Sequence, residues 1–496
     1  MTKGGIAAPS PSAASHDEGN LPSPAAGGLP LVVDLDGTLI RSDLFIESLF
    51  AFFGLSPSPV LRLLGALLKG KAALKAFLAK LINIDPSGLH YDAAVMSEIH
   101  AARARGRSVC LASASNERYV ESIARHLDVF DESMGSTDSL NLSGPRKAAR
   151  LVEKFGEGGF AYIGNSSDDL PVWRAAGERI AIRTSRGTTR KLIRIDPDAK
   201  MLPSPSPGLK RILGMLRVHQ WAKNALVGLP VLTAHRFELS ALGAAAMAFI
   251  AYSCCASAIY ILNDLVDLSA DRVHRSKRNR PLAAGAVSPH FALALSGLLL
   301  VAAAGVAAAL PVSFIAMLAM YFVLTSAYSF GLKRKMVVDV IVLATLYTLR
   351  VLGGAAAIDV VVSEWLLAFS IFFFLSLGLI KRYVDLLGLK DNELPDPTNR
   401  NYRRADTEVI ASLAAASGFN AVTVLALWIS APEIANAYHR PKLLWLLCPL
   451  VLYWLIRALM MAHRRYMNDD PVLFALTDRN SRYVVVAMAL IVLLAI

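Results

Sequence analysis

Residues Asn263 to Gly285 read NDLVDLSADRVHRSKRNRPLAAG. They follow an apolar run, Ala245 to Leu262, with the composition of a membrane span. Asn263, Asp267 and Asp271 stand at i, i+4 and i+8, and Asp264, Asp267 and Asp271 at i, i+3 and i+7. If the helix continues past the span, these four side chains fall within about 100° of one another around its axis. Like charges at that spacing repel, so an isolated helix gains nothing from them. A divalent cation removes the repulsion, and hard carboxylate oxygens suit Mg²⁺ shared with a substrate diphosphate. Just downstream, Arg272, Arg275, Lys277, Arg278 and Arg280 offer donors to phosphate oxygens. Basic residues after a span also serve topology alone, but that leaves three acids on one helical face unexplained. The stretch points to a diphosphate leaving group handled beside lipid.

Around it lies a chain of 496 residues, 54% hydrophobic, with mean hydropathy +0.45. That length allows two or more domains. The formal charge of +12 sits largely in loops between apolar runs, where anionic lipid is the expected neighbour. No nucleic-acid-binding motif accompanies it. The four cysteines form no CxxC pair and three lie in apolar runs, so they are expected to be buried thiols. Residues 1–28 are rich in Ala, Ser, Pro and Gly without an apolar core. They are expected to be a disordered tail rather than a signal peptide, leaving the next domain in the cytoplasm.

Leu31-Val32-Val33 has the pattern of a buried parallel strand and ends in Asp34-Leu35-Asp36-Gly37-Thr38. Two acids at the C-terminal end of a strand lie where open α/β sheets place their active sites. The sequence resembles the first motif of the haloacid dehalogenase (HAD) phosphatase superfamily. Three further motifs follow in order: Ser113 after a strand at Ser108–Leu111, Lys147 in GPRKAARLV, and GNSSDD at 164–169 after Ala161-Tyr162-Ile163. The resemblance implies an aspartyl-phosphate nucleophile at Asp34, a general acid/base at Asp36, and phosphate binding by Ser113 and Lys147. It also implies Mg²⁺ ligation by Asp34, Asp36 and Asp169. Asn165 departs from the family, which usually has Asp there, and removes one charge from the metal site. The expected fold of 29–196 is a Rossmann-like parallel sheet with a small helical cap at Asp43–His100. Within that insert, Pro59–Leu81 mixes Leu and Ala with Arg62, Lys69, Lys71, Lys75 and Lys80. It can be a basic amphipathic helix at lipid headgroups or a cap helix packed on its own domain. A Pro/Ser-rich linker, 197–212, leads on to a membrane domain at 213–496.

Apolar runs predict an all-α bundle of about nine transmembrane helices, near 222–238, 241–262, 290–309, 312–330, 338–358, 364–381, 410–430, 442–460 and 483–496. With the N-terminus inside, the loops 263–289, 331–337, 382–409 and 461–482 carry most of the Lys and Arg, the positive-inside pattern. Nine spans with NDxxDxxxD resemble the UbiA superfamily of intramembrane prenyltransferases, and within it the decaprenyl-phosphate phosphoribosyltransferase branch. The resemblance is carried by RVHQWAKN (217–224), the acidic motif, YSFGLK (328–333) with Asp339, Arg350, KRYVD (381–385), Asp470-Pro471 and Asp478-Arg479. Ordinary members have a second acidic motif, DxxxD; here Asp339 is followed four residues on by Leu343.

The resemblance implies Mg²⁺ bound by Asn263, Asp264, Asp267 and Asp271. It implies phosphate or substrate contacts from Lys223, Asn224, Lys277, Arg278, Arg280, Tyr328, Lys333, Arg350, Lys381 and Arg382. The expected reaction is transfer of 5-phosphoribose from 5-phosphoribosyl diphosphate (PRPP) to a polyprenyl phosphate in the lipid bilayer, with release of pyrophosphate. The HAD domain would then remove the 5-phosphate. The alternative is an aromatic prenyltransferase using a polyprenyl diphosphate, with the HAD domain regulatory. A non-catalytic scaffold is a third. The expected location is a bacterial-type inner or plasma membrane, with both sites on the cytoplasmic side.

Overall fold

The computed structural model describes residues 28–55, 60–204, 208–274, 277–391, 401–432, 434, 438–467 and 470–496. The expected N-terminal tail, apart from Gly28, and Arg275 lie outside the described residues. The chain forms two compact units. The first comprises residues up to Leu39, Asp92–Gly135 and Leu142–Pro203, and the second Ile40–Tyr91, Ser136–Asn141 and Ser204–Ile496.

The first unit is an α/β fold. Its strands are β1 (Leu31–Val33), β2 (Val109–Asn116), β3 (Glu132–Ser136), β4 (Ala161–Gly164), β5 (Glu178–Ala181) and β6 (Lys200–Met201), in the order β3-β2-β1-β4-β5-β6. β1 lies parallel to both β2 and β4, with Val33 paired to Leu111 and Ile163. The central strands are short and apolar because helices cover both faces: Val32, Cys110, Tyr162 and Trp173 are buried together. β2 runs further than the expected strand and carries Ser113 and Ser115 into the sheet.

The second unit is helical. Seven of its described helices are long and apolar enough to cross a membrane: Leu239–Val266, Pro289–Ala307, Val312–Phe330, Val338–Ala357, Glu364–Asp391, Arg404–Ile429 and Pro441–His463. Two of the nine expected spans fall outside this set. Around 222–238 the chain forms a 3-10 helix, Val218–Gly228, and a short α-helix, Leu229–Thr233. Pro230 cannot continue a ladder begun upstream, and His235 and Arg236 end the apolar run. The last helix, Arg479–Ala495, has 17 residues and opens on Arg479 and Arg482.

Val338–Ala357 is the central span, 72% buried in its apolar window against 22% for Pro289–Ala307 and 28% for Val312–Phe330. Small residues bring neighbours close to it. At Gly353 an added Cβ would lie 2.3 Å from the Tyr252 hydroxyl, and at Gly354 2.0 Å from the Val227 carbonyl. Two spans, Leu239–Val266 and Glu364–Asp391, have 28 residues. Each reaches about 42 Å, so one end of each overruns the hydrocarbon. Those overruns carry Asn263 and Asp264 on one helix, and Lys381, Arg382 and Asp385 on the other.

The insert groups with the helical unit. It contains α1 (Leu44–Leu55), α2 (Val60–Leu68) and α3 (Lys71–Leu81). The last two form a hairpin with Leu63, Ala66, Leu74 and Leu78 buried around Phe52.

Candidate functional sites

In the first unit the four expected motifs converge at the C-terminal ends of β1, β2 and β4. Lys147, near the start of the helix Pro145–Phe155, is buried at their centre. Its Nζ donates to Asp34 Oδ1 at 2.7 Å, to the Tyr162 hydroxyl at 2.9 Å and to Asp169 Oδ1 at 3.4 Å. Burial opposes the ammonium charge, but Asp34 and Asp169 outweigh it and raise the Lys147 pKa. Burial likewise pushes the Asp34 carboxyl up to about 7, with Lys147 working against it. Asp34 Oδ2 also accepts from Thr38 Oγ1 at 3.1 Å. Asp36 accepts from Ser113 Oγ at 3.1 Å and Ser115 Oγ at 2.6 Å.

Asp169 ties the fourth-motif loop together. It accepts from the backbone N–H of Asn165 and Ser166 at 3.0 and 2.9 Å, and from the Tyr162 hydroxyl at 2.6 Å. Against burial, these bonds and Lys147 hold its pKa below the ordinary value. Asn165 lies against Gly37, where an added Cβ would sit 2.2 Å from its Nδ2. Gly37 also has φ +72°, so two reasons keep a side chain out. Thr38 and Tyr162 were quoted in the sequence motifs but not assigned to the site; the hydrogen bonds of Thr38 to Asp34 and of Tyr162 to Asp169 place them there.

In the second unit the acidic motif does not lie on one unbroken helix. The span ends at Val266, Asp267 takes φ −92° and ψ 8°, and a six-residue helix, Leu268–Val273, follows. The i to i−4 bonds nevertheless continue: Asp267 N–H donates to Asn263 O at 2.9 Å and Asp271 N–H to Asp267 O at 2.8 Å. The polar side chains sort into two pairs. Arg280 Nη1 bridges Asp264 Oδ1 at 3.1 Å and Asp271 Oδ2 at 2.5 Å. Lys333 Nζ bridges Asn263 Oδ1 at 3.1 Å and Asp267 Oδ2 at 2.9 Å. Arg217 also donates to Asp264 and lies 5.1 Å from the Tyr260 ring centroid. Arg217 has φ +53°, between the helix Leu209–Leu216 and the 3-10 segment. The Ser257 hydroxyl pins that junction: it donates to Leu216 O at 2.8 Å and accepts from Trp221 Nε1 at 2.9 Å.

Among the described residues no three Asp, Glu, His or Cys side chains converge closely enough to hold a metal ion. The donor chemistry still fits Mg²⁺. Four oxygen-bearing side chains stand within nine residues, and each is met by a cation on a side chain, so the set is built to face positive charge.

A second polar network is centred on Asp470 and Arg350. Lys223 and Lys381 both pair with Asp470, Lys381 at 3.5 Å. Against burial, which raises it, these two lysines hold the Asp470 carboxyl down at about 2. Asn224 joins Ser253 and Arg350, whose Nε donates to Asn224 Oδ1 at 2.8 Å and whose Nη2 donates to the Tyr321 hydroxyl at 2.9 Å. Arg350 thus sits among aromatic and amide groups, away from the acidic motif's own bonds. Arg382 pairs with Asp339 at 2.6 Å and with Asp385 at 2.6 Å. Tyr328 is partly buried in the apolar core. Lys277 and Arg278 stand on a short 3-10 turn and pair with no described acid. Asp478 caps the last helix and accepts from Arg457 at 2.7 and 3.1 Å. Arg272 is not at the acidic cluster, because it bonds Glu47 of α1. Asp470 was quoted in the sequence but not assigned to a site; it also caps the helix Pro471–Thr477, accepting from the backbone N–H of Val472 and Leu473.

Partly buried cations opposite the acidic motif of a bundle with seven candidate spans, joined in one chain to an aspartate-centred α/β site, are the arrangement of a membrane protein carrying a hydrolase-like module. Comparison with known proteins agrees: the model of the UbiA prenyltransferase family matches residues 224–483, and that of the haloacid dehalogenase-like hydrolases matches 31–174. The chain belongs to the UbiA prenyltransferase family, with an N-terminal haloacid dehalogenase-like domain. It is 36% identical over 92% of its length to "Uncharacterized protein y4nM" of Sinorhizobium fredii, covering 89% of that protein. It is 35% identical to nodulation protein NoeC of Azorhizobium caulinodans over 55% of this chain and 89% of that one. To decaprenyl-phosphate phosphoribosyltransferase of Mycolicibacterium smegmatis it is 34% identical over 37% of this chain and 60% of that one. Among solved structures it is similar to a UbiA homolog from Archaeoglobus fulgidus bound to GPP and Mg²⁺, at TM-score 0.45 and 16% identity, over 57% of this chain and 99% of that one.

Proposed function

We propose that the helical unit transfers 5-phosphoribose from PRPP to a polyprenyl phosphate, and that the HAD-like unit then removes the 5-phosphate. The observation that carries this choice among UbiA-type reactions is the state of Asp339. It is fully buried, paired with Arg382 and hydrogen-bonded by Tyr402 at 2.6 Å. No second acid stands with it, since Leu343 takes the place four residues on. The sequence likeness to a decaprenyl-phosphate phosphoribosyltransferase supports the same choice.

Asn263, Asp264, Asp267 and Asp271 would hold Mg²⁺, which when bound supplies positive charge to the departing diphosphate. Arg217, Arg280 and Lys333 bind diphosphate oxygens in exchange for the carboxylates they now neutralise. Lys223, Lys381 and Arg350 are assigned to the lipid phosphate. A phosphate oxygen attacks C1 of the ribose, the C1–O bond to diphosphate breaks, and pyrophosphate leaves with the bonding pair. The attacking phosphate is already ionised, so no base is required. In the second unit's product the 5-phosphate is a monoester. Asp34 attacks its phosphorus, Asp36 protonates the leaving O5, and water then cleaves the aspartyl-phosphate. Lys147 and Ser113 hold the phosphate. Mg²⁺ at Asp34, Asp36 and Asp169 belongs to this proposal.

The test is to give purified protein PRPP, polyprenyl phosphate and Mg²⁺, and to resolve the lipid products by mass. Wild type is expected to yield lipid-linked ribose without the 5-phosphate, and Asp34→Asn to accumulate the phosphorylated intermediate. If both proteins give the same phosphorylated product, the hydrolase step is wrong while the transfer step stands.

A further inference from the structure

Helix α2 presents leucine outward. Leu61 and Leu68 are 81% and 89% exposed, and Leu64 and Leu67 are about half exposed. Leu63 and Ala66 face the other way, into the hairpin core. Leu61, Leu64 and Leu68 stand at i, i+3 and i+7, one stripe of a helix. Such a face left in water is unfavourable and marks an interaction surface.

The neighbouring helix indicates what covers it. Glu47 of α1 accepts from Arg272 at 2.8 and 2.5 Å, with both side chains 6% exposed. The carbonyl oxygen of Gly54 accepts from Arg334, the residue after Lys333. An added Cβ at Gly54 would lie 3.2 Å from Val266, the last residue of the span Leu239–Val266. Phe45, Ile46 and Phe50 pack in one cluster with Ile261 and Leu265 near the end of that span, and with Leu293 and Leu295 in the first two turns of Pro289–Ala307. α1 therefore sits at the level where two spans leave the hydrocarbon, beside the acidic motif. α2 begins five residues after α1 ends, a reach of at most about 17 Å. Exposed Arg62 on α2, with Lys69 and Lys71 beyond its end, adds positive charge to the hairpin.

We propose that α2 is a monotopic membrane element. Its leucine face lies about 5–10 Å into the boundary between headgroups and acyl chains, in the leaflet at the motif end of the bundle. Arg62, Lys69 and Lys71 meet anionic headgroups, and the bilayer surface of the spans continues onto the insert.

To test this, Leu64 and Leu68 are replaced in turn by p-benzoylphenylalanine in the full chain, reconstituted in phosphatidylglycerol nanodiscs. Leu298, an exposed position of the span Pro289–Ala307, serves as the lipid-facing reference. After irradiation, intact mass reads the adduct. One added phospholipid at 64 and at 68, as at 298, is expected, with lower yield in discs of phosphatidylcholine alone. A second copy of the chain captured instead, a crosslink to another segment of the same chain, or no lipid at 64 and 68 while 298 reacts would each overturn the proposal. An unchanged yield in phosphatidylcholine would overturn the part given to the basic residues.

Discussion

Arg280 holds together two acids that would otherwise repel: its Nη1 touches both Asp264 and Asp271, whose side chains are 4% and 3% exposed. Removing one partner of such a set leaves buried charge uncompensated, at roughly 3–5 kcal/mol. Arg280→Ala is expected to lower kcat/KM for the diphosphate donor by at least about tenfold, with Arg280→Lys intermediate; a steady-state assay at saturating Mg²⁺ checks it. Asp339 makes the opposite prediction. Its pair with Arg382 is structural, both side chains being at most 1% exposed. Asp339→Asn should destabilise the protein by about 3–5 kcal/mol, read as a lower Tm, and leave the Mg²⁺ concentration for half-maximal activity unchanged. A shift in that Mg²⁺ dependence with Tm intact would make Asp339 a metal ligand. The acids of the motif were legible because repulsion at helical spacing demands an explanation. Arg217 and Lys333 were quoted as well, but not which acid each meets: they reach Asp264 and Asp267 from 47 and 66 residues away, and spacing in the sequence carries no trace of that.

At the scale of elements, apolar runs report only the part of a helix that lies in hydrocarbon. That is why Glu364–Asp391 was expected to stop at 381 and Leu239–Val266 at 262, although their ends carry Lys381, Arg382, Asn263 and Asp264. The same blindness made 222–238 look like a span. Its apolar residues instead let the 3-10 segment pack on the central span, with Val227 against Gly354. That segment carries Lys223 and Asn224, so its seat matters. Gly354→Ala must push the Val227 carbonyl away by more than an ångström from the 2.0 Å approach. It is expected to cost 1–3 kcal/mol, roughly, and to lower transfer activity; thermal unfolding and turnover measured on one preparation check it. Unchanged stability would mean that the segment is not packed there.

Across the whole molecule, the two folds were readable from ordered motifs, whereas the allegiance of the insert was not. Residues 40–91 lie in sequence inside the hydrolase-like domain, yet they pack with the helical unit through Glu47 and Arg272, 225 residues apart. Long-range ion pairs leave no local pattern, so composition offered two equal homes for the insert. The central claim is a choice of donor. It is tested most directly by offering the purified protein, with Mg²⁺, PRPP plus polyprenyl phosphate in one vessel and a polyprenyl diphosphate plus an aromatic acid in another, and measuring pyrophosphate release together with product mass. The account predicts pyrophosphate and a ribosylated lipid in the first vessel, none in the second, and loss of both signals in Asp267→Ala. Pyrophosphate and a prenylated aromatic acid in the second vessel, with nothing in the first, would contradict it.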